Sequence, residues 1–429
     1  MLNHPSGYYL NDSKADFATT SKEPRQLRIA LYHPWVYLKS GLERSLLEII
    51  QRSRHQYTLF TSHYDRVGTY PELAECDVRE LEPRISVERS YGKVADGAYN
   101  ILRLKLPMDD YDGLVVSSEG IGDFVNFRNH RKPIISFCHT PLKIIHDPYA
   151  RDVYLNSHPE ARWKYTIGST IFKFVDNLAW HYYAGAICNS EETRQRVLRA
   201  KLATEDKLHV LHPGVDLSRL TPSWEYRPYF LLPGRIMWQK NIELGIRAFQ
   251  QFEKLLASGN ATKPVFRLII AGMVDEKSKP YYAELRQLVN NNPNIQFCLN
   301  PGDTEMHDLY RESYGVLFTA RNEDWGIVPL EGMAFGKPVI SVNRGGPTES
   351  IIHRETGFLL EPDPEVFAAT MFELAQDPQL PLKIGRAGRE RARLFDWEGF
   401  VNRFDDLVEA YVQKPVASRS KSRIGAGHV

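Results

Sequence analysis

The sequence predicts an α/β protein with two doubly wound parallel sheets, each in its own domain. Its 429 residues are enough for two or three domains of ordinary size. Short apolar runs typical of buried strands alternate with amphipathic helical stretches along nearly the whole chain, as in parallel α/β layers. Residues 212–228, HPGVDLSRLTPSWEYRP, interrupt this pattern with prolines and turn formers. We therefore place the junction between the domains there.

The predicted strands fall into two series, one on each side of this junction. The first series is expected at 27–33, 57–61, 113–117, 133–138, 185–188 and 208–212. The second is expected at 229–233, 265–272, 294–299, 315–319 and 337–342. A helix at 241–256 would place Ile242, Ile246 and Phe249 on one face. Doubly wound sheets bind ligands beyond the carboxyl ends of their strands, so motifs at those ends are the candidates for function.

Composition excludes several classes of protein. Lys plus Arg total 54 against 53 for Asp plus Glu, so no overall charge favours nucleic acid as a partner. The four cysteines show no metal-ligand spacing and suit a reducing, cytoplasmic compartment. The chain contains neither an apolar signal segment nor a run of about 18 apolar residues. Residues 1–25 and 415–429 are polar and are expected to be flexible tails.

Residues 321–349, RNEDWGIVPLEGMAFGKPVISVNRGGPTE, form the most informative segment of the chain. Two carboxylates, Glu323 and Glu331, bracket a turn and the start of a short helix. Pro329 suits the first turn of that helix, because its missing N–H costs nothing there. Gly336 is expected to end the helix, and residues 339–342 are expected to form a buried strand.

The predicted helix start favours an anion, because its free N–H groups and its dipole both attract negative charge. A glutamate placed there would repel a phosphate. Glu331 is therefore expected to accept hydrogen bonds from a pair of sugar hydroxyls, since an ionised carboxylate can only accept. The structural alternative is that Glu331 complements the dipole of the first helical turn.

A second candidate is the segment LLPGRIMWQKNIEL at 231–244, which joins a predicted strand to the next helix. Arg235 and Lys240 lie in this loop, where two cations beside a helix start are unfavourable unless an anion lies between them. Nearby Glu243 is expected to relieve part of the cost at Lys240. The functional interpretation is a diphosphate clamp, and the alternative is a pair of solvated surface cations.

The first strand-to-helix turn, LYHPWVYLKSGLERSLLEII, places Gly41 just before a helix. Ser40 and Glu43 fit a capping box with Ser at the N-cap and Glu at the third helical position. Gly41 would let a phosphate approach the backbone closely. The full G-x-G-x-x-G pattern is absent, which disfavours nicotinamide and flavin cofactors.

The segment IISFCHTPLKIIHD at 134–147 ends a predicted strand with a polar pair, His139-Thr140. His139 is either a contact for the ligand or a hydrogen-bonded structural residue. Lys143 follows closely, and its role stays open. In the segment ICNSEETRQRV at 187–197, either Ser190 or Asn189 as a helix cap explains the pattern.

The spacing Glu323-x7-Glu331, the run GKPVI, and the pair Gly345-Gly346 before Glu349 resemble family 4 of the retaining glycosyltransferases. The resemblance covers residues 229–397 well and the first half more thinly. It implies the GT-B fold, in which two Rossmann-like domains face each other across a cleft. The implied divisions are an acceptor-side domain at 26–216, a nucleotide-sugar donor domain at 217–396 and a final helix at 397–414 that crosses back to the first domain.

The resemblance also implies roles for individual residues. Arg235 and Lys240 would stabilise the leaving diphosphate, Glu331 would bind the ribose, and Glu323 would contact the donor sugar. His139 would lie near the transferred sugar, as in mannosyltransferase-like members with an HTP motif and a following basic residue. The residues expected to bind the donor are Gly41, Gly234, Arg235, Lys240, Glu323, Trp325, Gly326, Ile327, Val328 and Glu331. Those expected to act in the reaction are Arg235, Lys240, Glu323 and His139.

The implied reaction moves a sugar, with retention of its anomeric configuration, from a UDP- or GDP-sugar donor to a saccharide or lipid-linked saccharide. Attack would occur on the front face, with the leaving diphosphate oxygen helping to take the acceptor's proton. No metal and no cofactor beyond the donor are expected. The alternatives are a sugar-nucleotide epimerase or hydrolase on the same scaffold and a non-catalytic carbohydrate-binding protein.

Contact with a membrane is a further expectation, placing the protein in the cytoplasm and peripherally at the inner face of the membrane. The stretch ARWKYTIGSTIFKFVDNLAWHYY at 161–183 fits an interfacial amphipathic helix, and it fits a buried or half-buried helix as well. The cations Arg419, Lys421 and Arg423 suit either anionic lipid or solvent.

Overall fold

The computed structural model of the protein describes residues 25–88, 90–258 and 264–413. Two parallel sheets organise this part of the chain, one of seven strands and one of six. Apart from Arg25, the two predicted flexible tails lie outside the described residues. No described helix is long and apolar enough to cross a membrane.

The first sheet has the strand order β3-β2-β1-β4-β5-β6-β7. Its strands are β1 (Arg28–Tyr32), β2 (Gln56–Thr61), β3 (Val78–Glu80), β4 (Gly113–Ser118), β5 (Ile134–Cys138), β6 (Tyr183–Cys188) and β7 (Leu208–Val210). The accompanying helices are α1 (Gly41–Arg52), α2 (Tyr91–Arg103), α3 (Asn126–Asn129), α4 (Lys143–His146), α5 (Pro148–Ser157), α6 (Arg162–Trp180) and α7 (Glu191–Arg199).

The second sheet has the equivalent order β10-β9-β8-β11-β12-β13. Its strands are β8 (Tyr229–Pro233), β9 (Arg267–Gly272), β10 (Ile295–Leu299), β11 (Gly315–Phe318), β12 (Val339–Val342) and β13 (Phe358–Leu360). Its helices are α8 (Ile242–Ala257), α9 (Lys279–Val289), α10 (Asp303–Glu312), α11 (Ile327–Ala334), α12 (Pro347–Ser350), α13 (Pro364–Gln376) and α14 (Gln379–Ala392), and α15 (Trp397–Val412) follows them.

Alternation along the strands explains why both faces of each sheet are covered. In β1, Ala30 and Tyr32 belong to one apolar core, whereas Ile29 and Leu31 belong to the core on the opposite face. Successive strand side chains point to opposite faces, so an uninterrupted apolar strand needs helices on both sides. The predicted doubly wound α/β class is therefore confirmed.

Most predicted strands are confirmed within one or two residues of their ends, and 229–233 matches β8 at both ends. The predicted helix at 241–256 corresponds to α8 and buries the expected face. Two strands were not predicted, β3 and β13, and each has only three residues. The junction predicted at 212–228 lies between β7 and β8, where no regular helix or strand forms. The domain boundaries drawn from it stay a prediction.

The last helix, α15, packs against the first sheet. The ring centroids of Phe400 and Phe404 lie 6.0 and 5.3 Å from that of Phe137 in β5. A Cβ added to Gly185 in β6 would lie 2.1 Å from Cζ of Tyr411. Only glycine therefore lets the Tyr411 ring approach the sheet this closely.

Candidate functional site

The order of strands identifies where each sheet can bind a ligand. In both sheets the winding reverses between two neighbouring strands, β1 and β4 in the first and β8 and β11 in the second. Crevices beyond the carboxyl ends of such strands bind ligands in doubly wound proteins. Gly41 follows β1, Arg235 and Lys240 follow β8, and Glu323 follows β11. The predicted residues thus lie at the two crevices.

Lys240 and Glu323 form an ion pair at the second crevice. Lys240 ends a short 3-10 turn, Trp238–Lys240, and its carbonyl accepts a hydrogen bond from Thr319 at 2.7 Å. Lys240 Nζ donates to Glu323 Oε2 at 2.6 Å. Burial alone would raise the pKa of Glu323, but the charges of Lys240, Lys143 and Arg235 lower it to about 2. Glu323 is therefore a carboxylate at neutral pH.

The expectation that Glu243 relieves the charge at Lys240 is wrong. Glu243 instead forms an ion pair with Arg321 and accepts a hydrogen bond from the Tyr281 hydroxyl. Lys240 turns toward Glu323, because the end of β11 lies beside the end of β8. Lys240 and Glu243 are close in sequence, but the turn that precedes α8 separates them.

Glu331 lies deeper in its helix than predicted. Helix α11 begins at Ile327, so Pro329 is in the first turn as expected, but Glu331 is in the second turn and does not complement the dipole at the helix start. The hydroxyl of Tyr310 donates to Glu331 Oε2 at 2.7 Å. Burial raises the pKa of Glu331, and the Tyr310 hydrogen bond offsets part of that rise. Because a carboxylate has about four acceptor positions, Glu331 can also accept from a ligand.

The start of α11 meets the first domain at Gly41. A Cβ added to Gly41 would lie 3.8 Å from Cγ2 of Ile327, so the backbones at the starts of α1 and α11 approach each other. Ser40 is the N-cap of α1, and its Oγ accepts from the amide of Leu42 at 3.2 Å and donates to Glu43. The capping positions are confirmed, although this bonding differs from the reciprocal capping box.

The side chain of Trp325, one of the predicted donor-binding residues, is held by contacts within the protein. Its indole is buried, donates to the carbonyl of Pro213 at 2.9 Å and stacks on His212 at a centroid distance of 4.4 Å. The indole therefore packs in the connection between the domains, and contact of Trp325 with the donor stays a prediction. The remaining predicted donor residues lie at strand ends or at the helix start: Gly234 directly follows β8, Gly326 is the N-cap of α11, and Val328 is in its first turn.

Gly345 and Gly346 hold the segment that contains Glu323. A Cβ on Gly345 would lie 2.2 Å from the carbonyl oxygen of Glu323, and one on Gly346 would lie 2.1 Å from that of Trp325. Gly345 also has a φ of +67°, which favours glycine. The glycine pair is therefore required for close packing of backbone against backbone.

His139 lies at the end of β5 and is buried. Its Nε2 lies 2.8 Å from Ser117 Oγ, and burial together with the neighbouring His33 lowers the pKa of His139 to about 3. The ring is therefore neutral at physiological pH. Ser190 caps α7 by accepting from the amide of Thr193 at 3.0 Å, which confirms the structural alternative for that segment.

A network between the domains was not predicted. Lys143 donates to the carbonyl of Asn322 at 3.0 Å and pairs with Asp324 at 2.7 Å. Arg196 is buried, pairs with Asp324 and donates to Asn322 Oδ1 at 2.6 Å. The residues on either side of Glu323 are thus held by the first domain. In the sequence, the position of Asn322 and Asp324 on either side of Glu323 is the feature that could have indicated this network.

A second contact joins the domains through Glu349. Its carboxylate accepts from the amides of Glu191 and Glu192 at 2.8 and 3.1 Å, at the start of α7. His212 Nε2 lies 2.7 Å from the same carboxylate. Within the described residues, no group of three or more His, Cys, Asp or Glu side chains is arranged to hold a metal ion.

Comparison with solved structures defines the class of protein. The chain is similar to Anabaena Alr3699/HepE in a crystal structure with UDP and glucose, with a TM-score of 0.69, 17% identity, and coverage of 90% of this chain and 100% of that one. The two doubly wound domains therefore have the GT-B fold of glycosyltransferases.

Sequence comparison then identifies the family. The model described as Glycosyl transferases group 1 matches residues 221–391, and the model described as Glycosyltransferase Family 4 matches residues 39–219. The human alpha-1,3/1,6-mannosyltransferase ALG2 is 37% identical over 387 residues, which cover 82% of this chain and 88% of that protein. The mouse protein of the same name is 36% identical over 194 residues, 44% of this chain and 45% of its own length. The chain belongs to glycosyltransferase family 4.

Proposed function

We propose that this glycosyltransferase moves a mannosyl residue, with retention of configuration, from a nucleoside diphosphate sugar to a saccharide or lipid-linked saccharide. The names of its relatives, alpha-1,3/1,6-mannosyltransferases, support mannose as the sugar. UDP and GDP are the two candidate nucleotides. The acceptor would enter from the side of the first domain, near His139.

The observation that carries this proposal is the Lys240–Glu323 pair at the crevice between β8 and β11. A lysine ammonium has three donors, so Lys240 can bind a diphosphate oxygen while it still holds Glu323. Arg235 is close enough to lower the pKa of Glu323 and adds a second cation for the leaving group. The start of α11 adds free backbone N–H groups that favour an anion.

In the proposed reaction, the bond between the anomeric carbon and the diphosphate oxygen breaks as the acceptor hydroxyl oxygen bonds to that carbon. The acceptor's proton passes to the departing diphosphate oxygen on the same face. Lys240 and Arg235 stabilise the negative charge that develops there, so the countercharge comes from side chains and the reaction needs no metal. Glu323, held as a carboxylate, accepts from a hydroxyl of the donor sugar and positions it.

His139 is suited to positioning in this scheme. Since its ring is neutral and bound to Ser117, it can exchange hydrogen bonds with a sugar hydroxyl without bringing a positive charge to the oxocarbenium-like sugar. Glu331 would accept from the ribose hydroxyls beside the Tyr310 hydrogen bond.

The test is turnover with UDP- and GDP-linked mannose and glucose, offered with short oligosaccharides that are either free or attached to a lipid. We expect mannosyl transfer that persists in EDTA and a product with the anomeric configuration of the donor, which NMR determines. An inverted product would contradict retention. Donor consumed without acceptor would favour an epimerase or hydrolase, and the absence of any nucleotide-sugar binding would favour a carbohydrate-binding protein.

A further inference from the structure

Three buried polar side chains meet where β1, β4 and β5 end, at the crevice of the first sheet. His33 directly follows β1, Ser117 is the penultimate residue of β4, and His139 directly follows β5. Their exposed fractions are 5%, 0% and 6%. Because buried polar groups need hydrogen-bond partners, the donor and the acceptor of each bond in this cluster can be assigned.

The first of these bonds fixes a proton on His33. Its Nδ1 lies 2.7 Å from the carbonyl oxygen of Ser117. A carbonyl oxygen can only accept, so His33 Nδ1 carries a hydrogen and donates it. The same nitrogen lies 3.3 Å from Ser117 Oγ. Because Nδ1 already carries its hydrogen, it cannot accept a hydrogen bond from the Ser117 hydroxyl.

The second bond fixes the proton of His139. Ser117 Oγ lies 2.8 Å from His139 Nε2, and within the described residues its only other side-chain contact of this kind is His33 Nδ1. Since His33 Nδ1 cannot accept, the Ser117 hydroxyl donates to His139 Nε2. The His139 ring is neutral at physiological pH, because its pKa is lowered to about 3. A neutral imidazole has a single N–H, so the proton of His139 is on Nδ1.

This Nδ1–H group of His139 is available to a ligand. None of the described residues forms a hydrogen bond with it. The described polar atoms that are enclosed in the core without a partner do not include it either, so it opens toward the cleft beyond β5. The rest of the residue is held firmly: Thr193 Oγ1 donates to its carbonyl at 3.1 Å, and the Phe137 ring lies 4.4 Å away between centroids.

We propose that Ser117, directed by His33, is a positioning residue that holds His139 as its Nδ1–H tautomer, so that His139 presents a hydrogen-bond donor to the substrate. The tautomer follows from the contacts alone, whereas the substrate contact rests on the proposed function. A nitrogen that carries a hydrogen cannot remove a proton, so His139 does not act as the base for the acceptor hydroxyl. That role stays with the departing diphosphate oxygen. A sugar hydroxyl that accepts from Nδ1 keeps its own proton, which it can donate to a carboxylate.

The tautomer is tested by NMR of the full chain with ¹⁵N-labelled histidine and no ligand, because the nitrogen chemical shift separates a protonated ring nitrogen from a bare one. The variants His33→Gln and His139→Gln assign the signals. We expect a protonated Nδ1 for both histidines and a bare Nε2 for His139. In Ser117→Ala the Nε2–H form of His139 should appear. The control Ser136→Ala removes a serine that is 1% exposed in the neighbouring strand β5 and should keep the wild-type spectrum.

The substrate contact is tested by calorimetric titration of the same variants. Ser117→Ala should bind the nucleotide sugar about three- to tenfold more weakly, the effect of one misdirected hydrogen bond. Its affinity for free UDP or GDP should be unchanged, because the free nucleotide has no sugar for His139 to contact. Ser117→Thr keeps the hydroxyl and should restore both the tautomer and the affinity. A purely structural role of Ser117 would weaken the binding of nucleotide and nucleotide sugar alike.

Three results would overturn the proposal. One is a wild-type His139 with its proton on Nε2, which requires no Ser117 variant to fold. Another is a folded Ser117→Ala protein in which the tautomer of His139 is unchanged. The third is an equal loss of affinity for the nucleotide and for the nucleotide sugar. If no nucleotide or nucleotide sugar binds the wild type, the proposed function fails, while the spectra still decide the tautomer.

Discussion

At the scale of single residues, burial and charge divide the carboxylates of the site into two kinds. Glu323 is held ionised by Lys240, Lys143 and Arg235, whereas burial raises the pKa of Glu331. An ionised Glu323 suits a permanent contact with the donor sugar. The environment of Glu331 favours a partner that donates hydrogen bonds to it, as Tyr310 does.

Replacing Glu331 by Gln tests its proposed contact with ribose. Gln keeps the shape and can still accept from Tyr310, but it presents one acceptor group where the carboxylate presents two. We expect KM for the donor to rise at least about tenfold, because hydrogen bonds to a charged group contribute about 1.5–3 kcal/mol. The melting temperature should be equal to or above that of the wild type, since Gln has no charge to bury. An unchanged KM would argue against the ribose contact.

His139 predicts how stability depends on pH. Its pKa falls from 6.5 to about 3 on folding, so the unfolded chain takes up the proton first as pH falls. Its contribution to stability is complete above pH 6.5 and is lost below it, at about 1.4 kcal/mol per pH unit. The fall in melting temperature from pH 7.5 to pH 5.5 should therefore be smaller for His139→Gln than for the wild type. The control, His181→Gln at an exposed position, should fall like the wild type.

At the scale of helices and strands, the local sequence pattern was sufficient to predict those elements whose structure is determined by their own residues. The continuous apolar run of β8 and the apolar face of α8 are local sequence features, so both elements were predicted closely. Strand β3 reads Val-Arg-Glu and forms only because β2 lies beside it. The contact between Arg196 and Asp324 joins residues 128 positions apart, so no local sequence pattern predicts it. Trp325 beside Gly326 has the same sequence pattern whether its ring meets a ligand or the core.

Gly185 tests the docking of α15 on the first sheet. An added Cβ would collide with the ring of Tyr411, so Gly185→Ala should destabilise the protein by about 1–3 kcal/mol, as overpacking does. Thermal unfolding should show a melting temperature several degrees lower. The control Gly92→Ala, in α2, meets nothing within 4 Å and should be neutral or slightly stabilising. Equal melting temperatures for the two variants would contradict this packing.

At the scale of the whole molecule, the proposed donor site depends on contacts between the domains. Arg196 and Lys143 of the first domain hold Asn322 and Asp324, which flank Glu323. The carboxylate of Glu349 in the second domain accepts hydrogen bonds from backbone amides at the start of α7 in the first domain. The relative position of the domains therefore sets the position of Glu323.

Arg196→Met tests this coupling. Removing a buried cation leaves Asp324 with Lys143 alone, so we expect a melting temperature several degrees lower and weaker donor binding. The control is Arg199→Met, which removes an exposed arginine from the same helix. Arg199 pairs with Glu192, as Arg196 does, and its replacement should change little. A variant that melts early but binds the donor with wild-type affinity would limit Arg196 to stability.

The central claim is that Lys240, Arg235 and Glu323 bind a nucleoside diphosphate sugar. Calorimetric titration of the wild type and of Lys240→Ala with UDP, GDP and their sugars tests it most directly, with exposed Lys254→Ala of α8 as the matched control. We predict that one nucleotide binds the wild type and the control alike. For Lys240→Ala, affinity should fall at least about tenfold and turnover about a hundredfold or more, while the fold stays intact. A folded Lys240→Ala protein with wild-type affinity and turnover would contradict the claim.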